Sequence, residues 1–119
     1  MKTAVMMVLV LGLFLSGCSA EKYGLGVDSS APTVMVKDII LKPELQGQQV
    51  NIEGKIVSQC QSNGCWFFLQ DESGQVFINL APNNFALPSR MGKRVKVTGI
   101  VAQGREGGYQ IIARGVEVR

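Results

Sequence analysis

From Val50 onward, apolar and polar residues alternate in short runs separated by turn-forming residues. Val50, Ile52, Gly54 and Ile56 alternate with Asn51, Glu53 and Lys55, the two-residue period of a strand with one buried face. Trp66 to Leu69 predict a second strand, and Asp71-Glu72-Ser73-Gly74 a turn into a third, Val76 to Leu80. Ala81 to Ser89 carries Pro82, Pro88 and the Asn83-Asn84 pair, which predicts a loop with one helical turn. Alternation resumes from Arg94 to Val101, and Gly104 to Gly108 turns into a last strand running from Tyr109 to about Val118. Ahead of these strands, Val34 to Leu41 reads as a short helix or strand, closed by Pro43 and Gly47.

Two of the predicted strands echo one another. Gly47-x-x-Val50-x-Ile52-x-Gly54-x-Ile56 recurs as Gly92-x-x-Val95-x-Val97-x-Gly99-x-Val101. Each copy has a glycine turn, a buried stripe and a mid-strand glycine. Glycine inside a strand costs stability, so it marks a bulge or a barrel corner. Five strands, two of them sharply coiled, with an irregular insert between the third and fourth, predict an all-β fold. The expected form is a small five-stranded OB-like Greek-key barrel, with an SH3-like barrel as the alternative.

The N-terminus has a different pattern. Lys2 is followed by an apolar run from Ala4 to Leu15, the charged and hydrophobic regions of a secretory signal, and the run is too short for a stable membrane span. It ends in Leu15-Ser16-Gly17-Cys18, which resembles the lipobox of bacterial lipoproteins. That resemblance implies cleavage before Cys18, a diacylglycerol on its sulfur and an acyl chain such as palmitate on the new amino group. It also implies that Ser19 favours sorting to the outer membrane, leaving the protein lipid-anchored on its periplasmic face. Two or more acyl chains make such an anchor stable, since each buried methylene contributes about 0.8 kcal/mol. The expected organisation is a signal peptide over 1–17, a flexible Gly/Ser/Ala-rich tether over 18–33 and the barrel domain over 34–119.

Removing 17 of the 119 residues leaves 102, enough for one small domain, and loss of Lys2 lowers the net charge from +3 to +2. A nearly neutral chain has no electrostatic mandate for nucleic acid or acidic lipid. There is no histidine, which removes the commonest general base and metal ligand. No Ser/His/Asp or Cys/His set and no phosphate-cradling glycine loop occurs, so the chain reads as a binding or accessory protein and not an enzyme. The adjacent acids Asp71 and Glu72 read as solubilising turn residues.

Cys60-Gln61-Ser62-Asn63-Gly64-Cys65-Trp66 separates the first two strands. Here the chain resembles a family of uncharacterised bacterial extracytoplasmic proteins with a small β-barrel and a Cys-x4-Cys-Trp segment. The resemblance implies context and no activity. Three readings of Cys60 and Cys65 stay open. Opposed positions on paired strands lie within disulfide reach, and an oxidising compartment favours that bond. Two thiolates, with a thioether from Met35 or Met91, suit Cu(I), whereas zinc would want four ligands. Thiol–disulfide exchange is the third, although redox pairs are usually two residues apart at a helix start. No other cofactor is expected.

Trp66 and Phe68 share one face of the second strand and Phe67 and Leu69 the other. The third sends Phe77 and Asn79 one way and Val76, Ile78 and Leu80 the other, so one face is core and the other a candidate binding platform. OB-folds bind ligands on this surface, and Trp66, Phe68 and Phe77 with Arg94 and Lys96 are the candidate ligand-binding residues. The competing expectation is that the Pro82–Pro88 loop covers this face through Phe85 and Leu87. Arg94 and Lys96, with Lys93, Arg90, Arg105 and Arg114, also raise single-strand nucleic-acid binding. An envelope location favours a protein, peptide or glycan ligand instead.

Replacing Cys18 by serine is expected to block lipidation and leave unprocessed precursor or a soluble product. A wild-type mature protein found by mass spectrometry without acyl chains would remove the basis for the anchor.

Overall fold

Five strands hydrogen-bond edge to edge until the last meets the first. The computed structural model describes residues 20–104 and 107–119. The strands are β1 Glu21–Gly24, β2 Thr33–Val34, β3 Gln49–Gln59, β4 Trp66–Asp71, β5 Gly74–Asn79, β6 Arg94–Gln103 and β7 Tyr109–Val118. Antiparallel pairing joins β3 to β4, β4 to β5, β6 to β7 and β3 to β6. A parallel β5–β7 pairing closes the ring in the order β3-β4-β5-β7-β6. This is the five-stranded OB-type barrel that the alternation predicts.

The inward stripe holds the apolar positions picked out by the period-two pattern: Val50, Ile52 and Ile56 of β3, Phe67 and Leu69 of β4, Val76 and Ile78 of β5. Val95, Val97 and Val101 of β6 and Ile111 of β7 complete it. The repeated glycine pattern has a common geometric cause. A Cβ on Gly54 would lie 2.4 Å from the Gln70 carbonyl oxygen, and one on Gly99 2.4 Å from the Ile111 methyl. Register shifts fall between Ile56 and Ser58 and between Thr98 and Gly99, so each strand bends next to its glycine.

The segment Val34–Leu41 divides between the two readings. Thr33 and Val34 pair with β3, and Val36–Leu41 form helix α1, with Val36 and Ile39 buried on one face. The expected turn in the Ala81–Ser89 loop is a single 3-10 turn over Ala81–Asn83.

The described residues of the expected tether, 20–33, depart from one. β1 runs antiparallel to β7, from Glu21 opposite Val118 to Gly24 opposite Gly115. The reason is an open edge: β5 pairs only with Gln110 to Ile112, leaving the C-terminal half of β7 free on that side. Arg90 holds the segment from outside, its Nε and Nη2 donating to the Glu21 carboxylate at 2.7 and 3.1 Å. Further along, Asn51 donates to the carbonyls of Asp28 and Ala31 at 2.8 and 3.1 Å. Thr98 accepts from the Asp28 amide at 2.9 Å and donates to the Asn51 side chain. Asn51 and Thr98 point away from the barrel interior yet are buried, because this segment covers them.

Replacing Asn51 by leucine removes the side-chain donor to the Ala31 carbonyl, one of the two donors to the Asp28 carbonyl, and the acceptor of the Thr98 hydroxyl. The expected loss is about 1–3 kcal/mol in urea unfolding, together with faster proteolysis within residues 26–33. Unchanged stability and unchanged cleavage would mean that the segment does not depend on this network.

Candidate functional site

Alternation along β4 and β5 puts one set of side chains in the core and the other on an outer face. Phe67, Leu69, Val76 and Ile78 are inside. Trp66, Phe68 and Phe77 are half-buried outside, with Phe68 opposite Phe77 in the strand register. Trp66 meets Phe68 edge-on with ring centroids 5.9 Å apart and lies 5.7 Å from Phe77 at a 32° tilt. Phe68 and Phe77 are 5.4 Å apart in a second edge contact. Each ring packs against the other two, so the cluster is a preformed surface.

These rings form one wall of a cleft of about 630 Å³, a volume typical of small-ligand sites. Asn79, Tyr109, Gln110 and the glycines Gly104 and Gly108 line the rest. Asn79 donates to the Gln110 side-chain oxygen at 3.2 Å, and Gln110 donates to the Gln103 carbonyl at 2.9 Å. The cleft therefore offers aromatic faces and oriented amides, and no charged side chain among the described residues that line it. Tyr109, Asn79 and Gln110 were not legible as site residues. They come from the strand ends and from a pairing between β5 and β7 that no local pattern signals.

The Pro82–Pro88 loop does not cover the face. Leu87 enters the core, and its amide donates to the Gly64 carbonyl at 2.9 Å. The Phe85 ring lies beside Gly24, on the β1 side of the barrel. Arg94 and Lys96 also depart from the expected site. β6 is separated from β4 and β5 by β3 on one side and β7 on the other, so its outward residues form another surface. Arg94 lines a mixed-charge cleft with Glu53, Lys55 and Glu72, and Lys96 pairs with Glu53 at 3.8 Å. Asp71 is more than a solubilising residue: it accepts from the amides of Val36, Ser73 and Gly74 at 2.8, 2.7 and 3.1 Å. Burial raises its pKa, but the Ser73 hydroxyl and these amides outweigh burial and hold it low.

Cys60 and Cys65 bracket the β3–β4 connection as free thiols, their sulfurs 3.8 Å apart. They are not directly opposed. Gln59 pairs with Phe67 and the Cys60 amide donates to the Trp66 carbonyl at 3.1 Å, so Cys65 sits one position past Cys60's partner. Gly64 makes that offset possible: it has a φ of +62°, and a Cβ there would lie 2.0 Å from the Leu87 carbonyl oxygen. The two sulfurs are chemically unequal. A hydrogen bond from the Ser62 hydroxyl, then one from the Asn63 amide, hold the Cys60 pKa down from 9.0 to about 6. Burial first, then its bond to Cys60, raise that of Cys65. Among the described residues, no group of three or more His, Cys, Asp or Glu could hold a metal, although Met91 shares a cavity with Cys60. Cys18 lies outside the described residues.

No protein-family model matches the chain, and no curated protein matches it in sequence. Solved structures match it in fold. Asparaginyl-tRNA synthetase from Pyrococcus horikoshii superposes with a TM-score of 0.59 at 23% identity, over 71% of this chain and 22% of the synthetase. The chain thus spans about a fifth of that enzyme. The hypothetical protein YgiW from E. coli gives 0.58 at 14% identity, over 82% of this chain and 99% of that one. A chain of the Stn1–Ten1 complex from S. pombe gives 0.50 at 22% identity, over 74% and 76%. These likenesses show the OB-like fold.

The unequal thiols give a direct expectation. Iodoacetamide should label Cys60 with a rate that rises through a midpoint near pH 6, because the thiolate is the nucleophile. Cys65 should stay slow until well above that midpoint. Peptide mass spectrometry of reduced protein across pH 5 to 10 reads both rates, and equal labelling at pH 7 contradicts the asymmetry.

Proposed function

We propose that this chain is a lipid-anchored binding module of the bacterial envelope, whose barrel holds a neutral glycan on the Trp66–Phe68–Phe77 face. The observation that carries the reading is the cleft itself: three mutually packed aromatic rings beside the Asn79 and Gln110 amides, with no charge among the described lining residues. A sugar ring has an apolar face that packs on an aromatic ring and hydroxyls at its edge that bond to amides. The anchor is implied by the lipobox at Cys18, and an envelope location would put glycan within reach.

The single-strand nucleic-acid reading fits this surface less well. Strand-binding OB-folds combine stacking rings with a positively charged groove along the backbone. Among the described residues, the basic side chains are dispersed. Lys96 is paired with Glu53, Arg90 with Glu21, and Arg114 donates to Gln49 at 2.9 Å. Binding through this cleft needs no catalytic group.

Trp66 is the only tryptophan, so intrinsic fluorescence reports from the cleft. Soluble neutral oligosaccharides are expected to shift its emission, with an affinity that changes little with salt. Replacing Phe77 by alanine should weaken binding by about tenfold or more, the loss of about 1.4 kcal/mol, while the far-ultraviolet circular dichroism stays β-dominated. Binding of single-stranded oligonucleotide with a steep salt dependence, and none of glycan, would replace this reading with the nucleic-acid one.

A further inference from the structure

The β3–β4 connection carries a second chemistry, independent of the aromatic cleft. Both cysteines are held by the barrel through their main chains: the Cys60 amide bonds to Trp66, and the Cys65 carbonyl accepts from the Leu80 amide at 2.9 Å. Gln61, Ser62 and Asn63 between them are exposed. Cys60 opens into a cavity of about 320 Å³, whose far wall is Leu87, Pro88, Ser89 and Met91. Cys65 does not line that cavity, and its thiol donates to the Cys60 sulfur. The result is one sulfur facing a cavity and a second waiting behind it.

We propose that Cys60 and Cys65 form a reversible thiol–disulfide couple, with Cys60 the nucleophile toward a disulfide entering the cavity and Cys65 the resolving thiol. The geometry supplies what a Cys-x-x-Cys pair takes from a helix start. The Ser62 hydroxyl lies 3.4 Å from the Cys60 sulfur and stabilises its anion. No charged side chain lines the cavity among the described residues, so hydrogen bonds and not cations hold the thiolate.

The exchange balances in two steps. The Cys60 thiolate attacks one sulfur of a protein or glutathione disulfide. A Cys60–substrate bond forms, the substrate S–S bond breaks, and its other sulfur leaves as a thiolate. Cys65 then loses its proton to that thiolate or to water and attacks the Cys60 sulfur. The Cys60–Cys65 bond forms and the second substrate sulfur departs. Two electrons have passed from the cysteine pair to the substrate disulfide, and a dithiol reverses both steps. The sulfurs, 3.8 Å apart, close by about 1.8 Å to reach the S–S bond length of about 2.0 Å.

The test uses the reduced full chain, oxidised glutathione at pH 7 and mass spectrometry. Cys65→Ser is expected to accumulate a glutathione adduct on Cys60. Cys60→Ser should form an adduct on Cys65 at least tenfold more slowly, and wild type should pass to the internal disulfide with little adduct on either of these two cysteines. Circular dichroism checks that both variants retain the β fold. Equal adduct rates in the two variants, or a wild-type protein that stops at the mixed disulfide, would overturn the assignment. So would an internal disulfide that stays oxidised in reduced glutathione, which would make the bridge a structural staple. Tight Cu(I) binding by the reduced pair with no exchange would make it a metal site.

Discussion

Ring closure is the constraint on which the other features depend. Five short strands bury a common core only if β5 reaches β7, and that contact is parallel and limited to Phe77–Asn79 against Gln110–Ile112. To bring those strands together, β3 and β6 must coil sharply, and both do so beside a glycine that lies against a neighbouring strand. A side chain at Gly54 or Gly99 would push apart the backbones whose approach closes the barrel. The repeated glycine pattern thus reflects one geometric demand met twice.

Closure also explains what lies outside the ring. Strands of unequal length leave parts of β7 and β3 without partners, and the N-terminal segment occupies both, as β1 and β2. Asn51, Thr98 and Asp28 tie the stretch between them to the barrel wall. Buried amides and hydroxyls with complete hydrogen bonding specify one arrangement of this segment. Asp71 does the same at the β4–β5 turn, receiving the first turn of α1.

The aromatic cleft and the dithiol meet at the start of β4 but differ in what positions them. The rings are placed by the pleat: once Phe67 and Leu69 are inside, Trp66 and Phe68 are outside. The cysteines are placed by a loop whose shape Gly64 sets by crowding against Leu87. Cys65 directly precedes Trp66, so the two sites adjoin.

Local pattern alone determined the strand faces, the bends at Gly54 and Gly99, and the outward aromatic trio, because the side-chain period of a strand is fixed by its backbone. The Cys-x4-Cys spacing likewise singled out the loop whose two thiols lie together. Only the tertiary structure decided which residues complete the cleft, since Tyr109, Asn79 and Gln110 meet through a pairing of strands distant in sequence. It also separated Arg94 and Lys96 from the rings, because β6 lies on another side of the barrel. A tether was expected over residues 18–33 because a Gly/Ser/Ala-rich stretch without periodicity gives no sign of an unfilled strand edge elsewhere in the fold. The inequality of the two thiols has the same origin: sequence spacing counts residues, whereas ionisation follows the hydrogen bonds and burial that each sulfur finds in the folded loop.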